Sequence, residues 1–189
     1  MEKGFHGANL RVMAQRAGLT TGAFYRYFAD KNAIFEALVE PVTREFKQMI
    51  AESAAFQMNM LENNQVAEGW AVSEPNLFQL VDYMYTHFDE FDLLINCSTG
   101  SSLEGFMASI LESDIVATQS YIDKMVQMGI LGQSPPLRFI PIFIKHGYWS
   151  LLEIVVARMT YEEAQAYMKL LIPFLHAGWN TILRGGTEV

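Results

Sequence analysis

The feature that most restricts the fold is a helical spacing of apolar residues that continues through the whole chain. No stretch keeps a period of two, and no Asn-Gly or Asp-Gly pair stands where a hairpin would turn. Apolar residues form 51% of the 189 residues and charged residues 18%, which is typical of a folded protein. The sequence therefore predicts an all-α protein.

Capping residues, glycines and prolines divide this pattern into helices. Asp30 is expected to cap a long helix that Pro41 kinks, and Pro173 is expected to bend the last helix, which ends before Gly185 and Gly186. Two capping boxes, Ser101 with Glu104 and Thr160 with Glu163, are expected to open helices. Predicted helices cover 10–17, 21–28, 31–57, 76–88, 89–96, 101–129, 137–158 and the segment from 160 onwards, with loops at 62–75 and 132–136.

Residues 10–28 have the pattern of a helix-turn-helix motif. Small Ala14 lies four residues before Gly18, which suits a tight turn with a positive φ between two short helices that cross closely. Thr20 is placed to cap the second helix. The apolar residues expected to form a shared core are Leu10, Met13, Ala17, Leu19, Phe24 and Phe28.

The exposed face of the second short helix is expected to carry Thr21, Gly22, Tyr25 and Arg26. A hydroxyl, a phenol and a guanidinium can contact phosphates and base edges, and a glycine lets the backbone approach a groove closely. Lys31, at the start of the next helix, is expected to reach a phosphate.

The distribution of charge fits a head that binds DNA. The net charge is −8, but residues 1–48 hold seven Lys and Arg against five acids, whereas the remaining 141 residues hold six against sixteen. Attraction to phosphates requires only a local positive face. We therefore divide the chain into a head (1–48) and a helical body (49–189).

The run Ala17–Lys31, with its Phe-Tyr-x-Tyr-Phe segment followed by x-Asp-Lys, closely resembles the head of the tetracycline-repressor (TetR) family. The flanking runs Gly4–Leu10 and Ala33–Leu38 resemble it too. The resemblance implies a DNA-binding regulator, although Tyr27 is expected to pack more than to contact DNA, and Asn9 stands where the family usually has threonine. The candidate DNA-binding residues are Asn9, Arg11, Thr20, Thr21, Gly22, Tyr25, Arg26, Tyr27 and Lys31.

The family has a complete first helix before the segment that matches Gly4–Gly7, and only Met1, Glu2 and Lys3 precede it here. Either the natural protein is longer by about one helix, or this chain lacks that helix. In the second case Phe24, Phe28 and Ile34 would lose part of their apolar cover, and the head would bind DNA weakly or not at all.

The body shows no catalytic or metal-binding pattern, so we expect no enzyme activity, cofactor or metal. The four histidines are scattered, and Cys97, the one cysteine, excludes an internal disulfide and suits a reducing cytoplasm. No signal peptide begins the sequence, and no apolar run reaches the roughly 18 residues that cross a bilayer, so we expect no membrane partner.

Soft and aromatic residues are abundant in the body, with eleven methionines in the chain and aromatic residues such as Trp70 and Tyr148. Such side chains can line a plastic pocket for an apolar or aromatic effector, or can simply fill a core. The resemblance implies a pocket between the middle helices. The candidate ligand-binding residues are Phe78, Phe88, Cys97, Phe106, Tyr121, Met125, Phe143 and His146.

The last two helices are expected to form a homodimer interface, because they carry more apolar surface than one body needs to bury. Its candidate residues are Leu151, Val155, Leu171, Leu175, Trp179 and Ile182. The resemblance then implies a dimeric repressor that binds a palindromic operator in double-stranded DNA and leaves it when a small molecule binds. The alternative is an all-helical ligand-binding protein that has lost DNA binding.

Overall fold

The computed structural model describes residues 4–183 and, apart from 67–73, their side chains. The side chain of Trp70 and the pair Gly185 and Gly186 therefore lie outside the described residues. Within the described range the chain is helical, as predicted. The helices are α1 (Gly4–Gly7), α2 (Leu10–Arg16), α3 (Thr21–Tyr25), α4 (Lys31–Glu62), α5 (Val66–Thr86), α6 (Phe88–Asn96), α7 (Phe106–Gln127), α8 (Ile140–Val156) and α9 (Tyr161–Leu183), with a short 3₁₀ turn at Leu137–Phe139.

Helix α4 connects the head to the body. Asp30 caps it, because its side chain accepts a hydrogen bond from the backbone N–H of Ala33 at 2.9 Å. The helix continues through Pro41 and crosses the predicted boundary at residue 48 without a break. Phe35 and Val39, only a few residues from its start, already belong to the core of the body.

Two apolar clusters form the core of the described protein. The larger one joins all the helices from α4 to α9 around the fully buried Phe46, Phe91 and Met84. The rings of Phe46 and Phe91 meet edge to face at 5.2 Å. The smaller one joins the end of α4 to α7 and the start of α8 around Leu61 and Ile122. Burial of these side chains stabilises the body by roughly 25 cal/mol per Å² of apolar surface.

Two predicted features of the body are wrong. Most of the predicted loop at 62–75 is helical, because α5 begins at Val66 and passes through Pro75. Ser101 and Glu104 do not cap a helix there: α7 begins only at Phe106, and the Glu104 carboxylate accepts from the backbone N–H of Gly100 at 3.0 Å. The box of Thr160 and Glu163 is confirmed, with its two reciprocal hydrogen bonds at 2.7 and 3.2 Å.

Helix α8 and the 3₁₀ turn before it, Leu137–Val156, are together long and apolar enough to cross a membrane by length and composition alone. The segment is not an unbroken apolar run, because it contains Arg138, Lys145 and Glu153. About a third of the segment is buried in the described protein, where it packs on α6, α7 and α9. A helix in the core of a globular protein passes the same test, so this is weak evidence for a membrane.

Candidate nucleic-acid interface and ligand cavity

The turn between α2 and α3 has the predicted geometry. Gly18 has a φ of +68°, and the next backbone N–H, of Leu19, donates to the carbonyl of Ala14 at 2.9 Å. Ala14 is 1% exposed, so its methyl group is the point where the two helices cross. The hydroxyl of Thr20 caps α3 by accepting from Ala23 N–H at 3.1 Å. The turn and the cap fix the direction of α3 relative to α2.

The core of the head is smaller than predicted. Phe24 and Phe28 are half-buried against each other, with ring centroids 5.8 Å apart, and Met13 is half-buried as well. Ala17 and Leu19, both expected to be in the core, are exposed, because the turn at Gly18 directs them to solvent. Helix α3 also ends at Tyr25 and not near Phe28.

A group of polar and aromatic residues at α3 forms what we call the reading surface: Thr21, Gly22, Tyr25, Arg26 and Tyr27. All except the half-buried Thr21 are exposed. Tyr25 is 53% and Tyr27 is 77% exposed, so the expectation that Tyr27 packs in the head was wrong. These exposed phenols and the guanidinium, at consecutive positions, can donate hydrogen bonds to phosphates and bases.

Three further residues predicted to contact DNA lie around this surface. Thr20, Asn9 and Arg11 are exposed. The Asn9 side-chain oxygen caps α2 by accepting from Arg11 N–H at 2.9 Å and from Val12 N–H at 3.4 Å. This cap leaves the Asn9 amide nitrogen and the Arg11 guanidinium available as donors.

Lys31 does not fit the expectation that it reaches a phosphate. Its ammonium group donates to the carbonyls of Phe5 at 2.6 Å and His6 at 3.4 Å, and it lies 4.2 Å from the centre of the Phe5 ring. Phe5 in turn packs edge to face on Phe35 of α4. Lys31 therefore connects α1 to the start of α4. The sequence alone could not predict this role, because it depends on a tertiary contact between Lys31 and Phe5.

The body contains a cavity of about 830 Å³ between α4, α5, α7, α8 and α9. Its lining is mostly apolar, and its polar groups include Asp114 and Tyr121 of α7, Tyr148 of α8 and His176 of α9. Burial raises the pKa of Asp114 to about 6 and also raises the pKa of Tyr121. Burial, and then the charge of Asp114, raises the pKa of Tyr148.

The pKa of His176 shifts downward, whereas those of Asp114, Tyr121 and Tyr148 shift upward. Burial lowers its pKa, against the smaller opposing effect of Glu74, because the apolar surroundings disfavour the imidazolium. At neutral pH this side chain therefore adds no positive charge to the cavity wall.

Comparison with known proteins bears on the head. Residues 1–38 match the family described as bacterial regulatory proteins, tetR family. The head of this chain therefore matches the head of the TetR family. A segment of 49 residues is 37% identical to proteins named HTH-type transcriptional regulator BetI from Escherichia coli O139:H28 (strain E24377A / ETEC) and from Klebsiella pneumoniae (strain 342). The match covers 26% of this chain and 25% of each relative, so about three quarters of each relative's length is outside it.

Of the residues predicted to bind a ligand, only Tyr121 and Phe143 line the cavity. Phe106 and Met125 are buried in the core, Phe78 and Phe88 pack against it, and the backbone carbonyl of Cys97 accepts from Phe5 N–H at 2.9 Å. His146 is on the exposed side of α8. These six residues lie outside the lining, because apolar spacing identifies a buried helix face but not where that face leaves a gap.

The lining residues that the prediction missed include two with shifted pKa values, Asp114 and His176. Asp114 is one helical turn from the buried Ile110, and His176 is one turn from the buried Ile172. A titratable residue in register with a buried stripe is the signal that would have identified both.

The residues predicted for the dimer interface point inward. Leu151, Val155 and Leu171 are at most 7% exposed within the single chain. Leu175 and Trp179 line the cavity, and Ile182 packs on the smaller cluster. Both sides of these helices are apolar, and the residues predicted for the interface lie on the side that packs within the single chain.

The opposite side of the same two helices is exposed, and we call it the apolar face. Its large residues are Ile142, Trp149 and Val156 on α8, spaced seven residues apart, and Leu170 and Phe174 on α9. Leu170 and Phe174 are 76% and 72% exposed. Single exposed apolar residues are common, but a contiguous set across two helices is typical of an interaction surface.

Proposed function

We propose that this TetR-family chain is a transcriptional repressor that binds a palindromic operator as a homodimer and leaves it when a small molecule occupies the cavity. In this proposal the head comprises residues 1–48, the body comprises 49–189, and the protein acts in the cytoplasm without catalysing a reaction. The reading surface is the observation that carries the proposal. It combines exposed donors with a helix held at a fixed angle by the turn at Gly18 and the cap at Thr20.

The homodimer is supported by the apolar face. Two copies that pair through it would remove Trp149, Leu170 and Phe174 from water. The same pairing would place two reading surfaces about a two-fold axis, which is the symmetry of a palindromic site.

Release by a ligand is supported by hydrogen bonds from the segment between α6 and α7 to the start of α4. Ser102 N–H donates to the Asn32 side chain at 2.9 Å, and the Ser102 hydroxyl donates to Glu36 at 2.6 Å. This segment leads into α7, which lines the cavity. A ligand that displaces α7 would therefore move α4, the helix that connects the head to the body.

The proposal is tested by selecting binding sites from a random duplex DNA library with the full chain. We expect enrichment of a palindromic sequence whose affinity falls steeply with salt. Tyr25→Ala should weaken binding to that sequence by about tenfold, in line with roughly 1–3 kcal/mol for a specific contact. Gln15→Ala, an exposed change on α2, is the matched control and should leave affinity unchanged. No enrichment, or equal affinity of the Tyr25 variant, would contradict DNA binding through this surface.

The second candidate function is a ligand-binding protein that does not bind DNA. It is favoured by the hydrogen bonds that the Lys31 ammonium group donates to the carbonyls of Phe5 and His6, because they remove one expected contact with a phosphate. Under this alternative the selection yields no enriched sequence, while small molecules still bind in the cavity.

A further inference from the structure

The wall of the cavity has an uneven distribution of charge. Among the described lining residues there is no lysine and no arginine, whereas Glu52 and Asp114 both contribute carboxylates. Glu52 is exposed near the edge and already accepts from Gln48 at 2.7 Å. Asp114 is the half-buried one.

Asp114 is unusual because nothing among the described residues neutralises it. Its side chain takes part in no hydrogen bond and no ion pair there. Its oxygens remain accessible to solvent, because no fully buried side-chain oxygen of the described residues lacks a partner. The other buried aspartate, Asp92, shows the usual arrangement, with Arg158 at 2.7 Å and Asn96 at 2.8 Å. A carboxylate in apolar surroundings without a partner costs free energy that a bound partner would offset.

Aromatic rings stand on the same wall. Tyr121 and Tyr148, from neighbouring helices, line the cavity, together with Phe143 and Trp179. The faces of such rings attract cations, most strongly where water is excluded. Tyr121 lies two helical turns after Asp114 on α7, and the charge of Asp114 acts on Tyr148. Aromatic rings and a carboxylate without a partner among the described residues therefore share a site that suits positive charge on an apolar molecule.

We propose that the cavity binds an organic cation with an apolar or aromatic body, whose positive charge pairs with Asp114. The inference rests on the proposed function only in taking this cavity as the effector site. It adds the chemical class of the ligand, a lipophilic ammonium-type or phosphonium-type ion, and excludes carboxylates and phosphates, which the wall would repel.

The titration of the site follows from its geometry. Because the pKa of Asp114 is raised to about 6, the carboxylate is ionised above that pH and attracts a cation there. The titratable groups that line the cavity are Glu52 on α4, Tyr121 on α7, Tyr148 on α8 and His176 on α9. Protonation of His176 at acid pH would also oppose a cation, so the two effects must be separated by mutation.

A pair of ions of the same shape and opposite charge provides the test. Tetraphenylphosphonium and tetraphenylborate do not titrate, so any pH dependence belongs to the protein. With the full chain at pH 7.5, calorimetry or fluorescence quenching should give an affinity for the phosphonium at least tenfold above that for the borate. Triphenylphosphine oxide, which is neutral, measures the contribution of shape alone.

Three variants connect the selectivity to one carboxylate. Asp114→Asn should reduce phosphonium affinity about tenfold or more and leave the affinity for the phosphine oxide unchanged, since a charge-assisted contact is lost. Asp123→Asn, the same change on the exposed side of α7, should have no effect. Asp114→Glu keeps the charge and should keep the preference for the phosphonium over the borate. This variant therefore distinguishes the loss of the charge from a folding defect caused by any change at this position.

The pH profile is a second readout. Between pH 7.5 and 5 the wild-type affinity for the phosphonium should fall about tenfold, because one pH unit below a pKa near 6 about nine tenths of the carboxyl is protonated. Asp114→Asn should flatten this fall, and any remainder would report His176.

Equal or tighter binding of the borate, or unchanged phosphonium affinity in Asp114→Asn, would overturn the proposal. So would binding of none of the three probes. If the phosphine oxide binds best and loses affinity as Asp114 ionises, the carboxyl is a neutral hydrogen-bond donor and the cation is excluded. Operator selection is scored independently of all these outcomes, so failure of the ligand class and failure of the proposed repressor can be told apart.

Discussion

At the scale of single residues, Asp114 works against the stability of the fold that contains it. Its pKa is 3.8 in an ordinary setting and about 6 in the folded protein. The folded state therefore holds this proton more tightly than the unfolded chain, and stability falls as pH rises between these two values and stays lower above them. Residues that serve a ligand often carry such a cost.

Asp114→Asn should therefore raise the free energy of unfolding. The difference in pKa corresponds to about 3 kcal/mol at pH 7.5, an upper estimate that shrinks to about 1 kcal/mol at pH 4.5. Urea denaturation at the two pH values checks both figures, with Asp123→Asn as the control. A variant less stable than wild type at pH 7.5 would show that the carboxylate has a stabilising partner.

A substitution at Gly22 is expected to change stability and the proposed DNA binding in opposite directions. A Cβ at this position would meet nothing within 4 Å, and alanine favours a helix over glycine by about 0.5–1 kcal/mol. Gly22→Ala should therefore raise the melting temperature slightly but weaken operator binding severalfold, because the added methyl group keeps the backbone from the groove. Anisotropy with labelled operator measures the second effect.

The control for this change is Gly105→Ala, which also enters open space but lies outside the reading surface. It should leave operator affinity unchanged. A Gly22→Ala variant that binds the operator as tightly as wild type would place this face of α3 away from DNA.

At the scale of elements, an ion pair joins the middle of α6 to the segment that follows α8. Asp92 is 1% exposed and accepts from Arg158, whose backbone is in the left-handed region with a φ of +50°. Arg158 is half exposed, so its own desolvation is small, while the carboxylate depends on it. This pair fixes where α8 ends and α9 begins.

Arg158→Ala should lower the free energy of unfolding by about 2 kcal/mol, because a buried carboxylate loses a charged hydrogen-bond donor. Arg44→Ala removes an exposed pair with Glu40 and should cost less than about 0.5 kcal/mol. Chemical denaturation compares the two. Adding Asp92→Asn to Arg158→Ala should recover part of the loss, and equal costs for the two arginines would contradict the assigned role.

Helix starts were the part of the fold that the sequence predicted best. The caps at Thr20, Asp30 and Thr160 depend on contacts within three residues, and all three have the predicted hydrogen bonds. The loop predicted at 62–75 was wrong because its polar residues were taken as a loop signal, whereas tertiary packing supplies most of the stability of a helix in a protein.

The contents of the cavity and the role of Lys31 could not be predicted in the same way. Both depend on residues far apart in sequence: Lys31 bonds to Phe5, 26 positions away, and the cavity wall joins helices from α4 to α9. The reading surface was largely predictable, because one short helix carries it. The inward and outward sides of α8 and α9 were exchanged, because both are apolar and only packing distinguishes them.

At the scale of the whole molecule, the apolar face predicts the oligomeric state. Phe174→Glu and Trp149→Glu should each convert a dimer to a monomer in sedimentation velocity, since burying a carboxylate in an apolar interface costs several kcal/mol. Val116→Glu alters an isolated exposed apolar residue on α7 and should leave the mass unchanged. Dimers of unchanged stability in the first two variants would place the interface elsewhere.

The exposure of Leu170 and Phe174 in a single chain has a consequence for gene control. Under the proposed pairing, a lone chain can engage only half of a promoter site. At low abundance the number of pairs grows with the square of the number of chains, so halving expression would remove about three quarters of the competent molecules. Small changes in dosage would then act as a threshold, and the cell could switch the target gene through synthesis and turnover of this protein as well as through a small molecule.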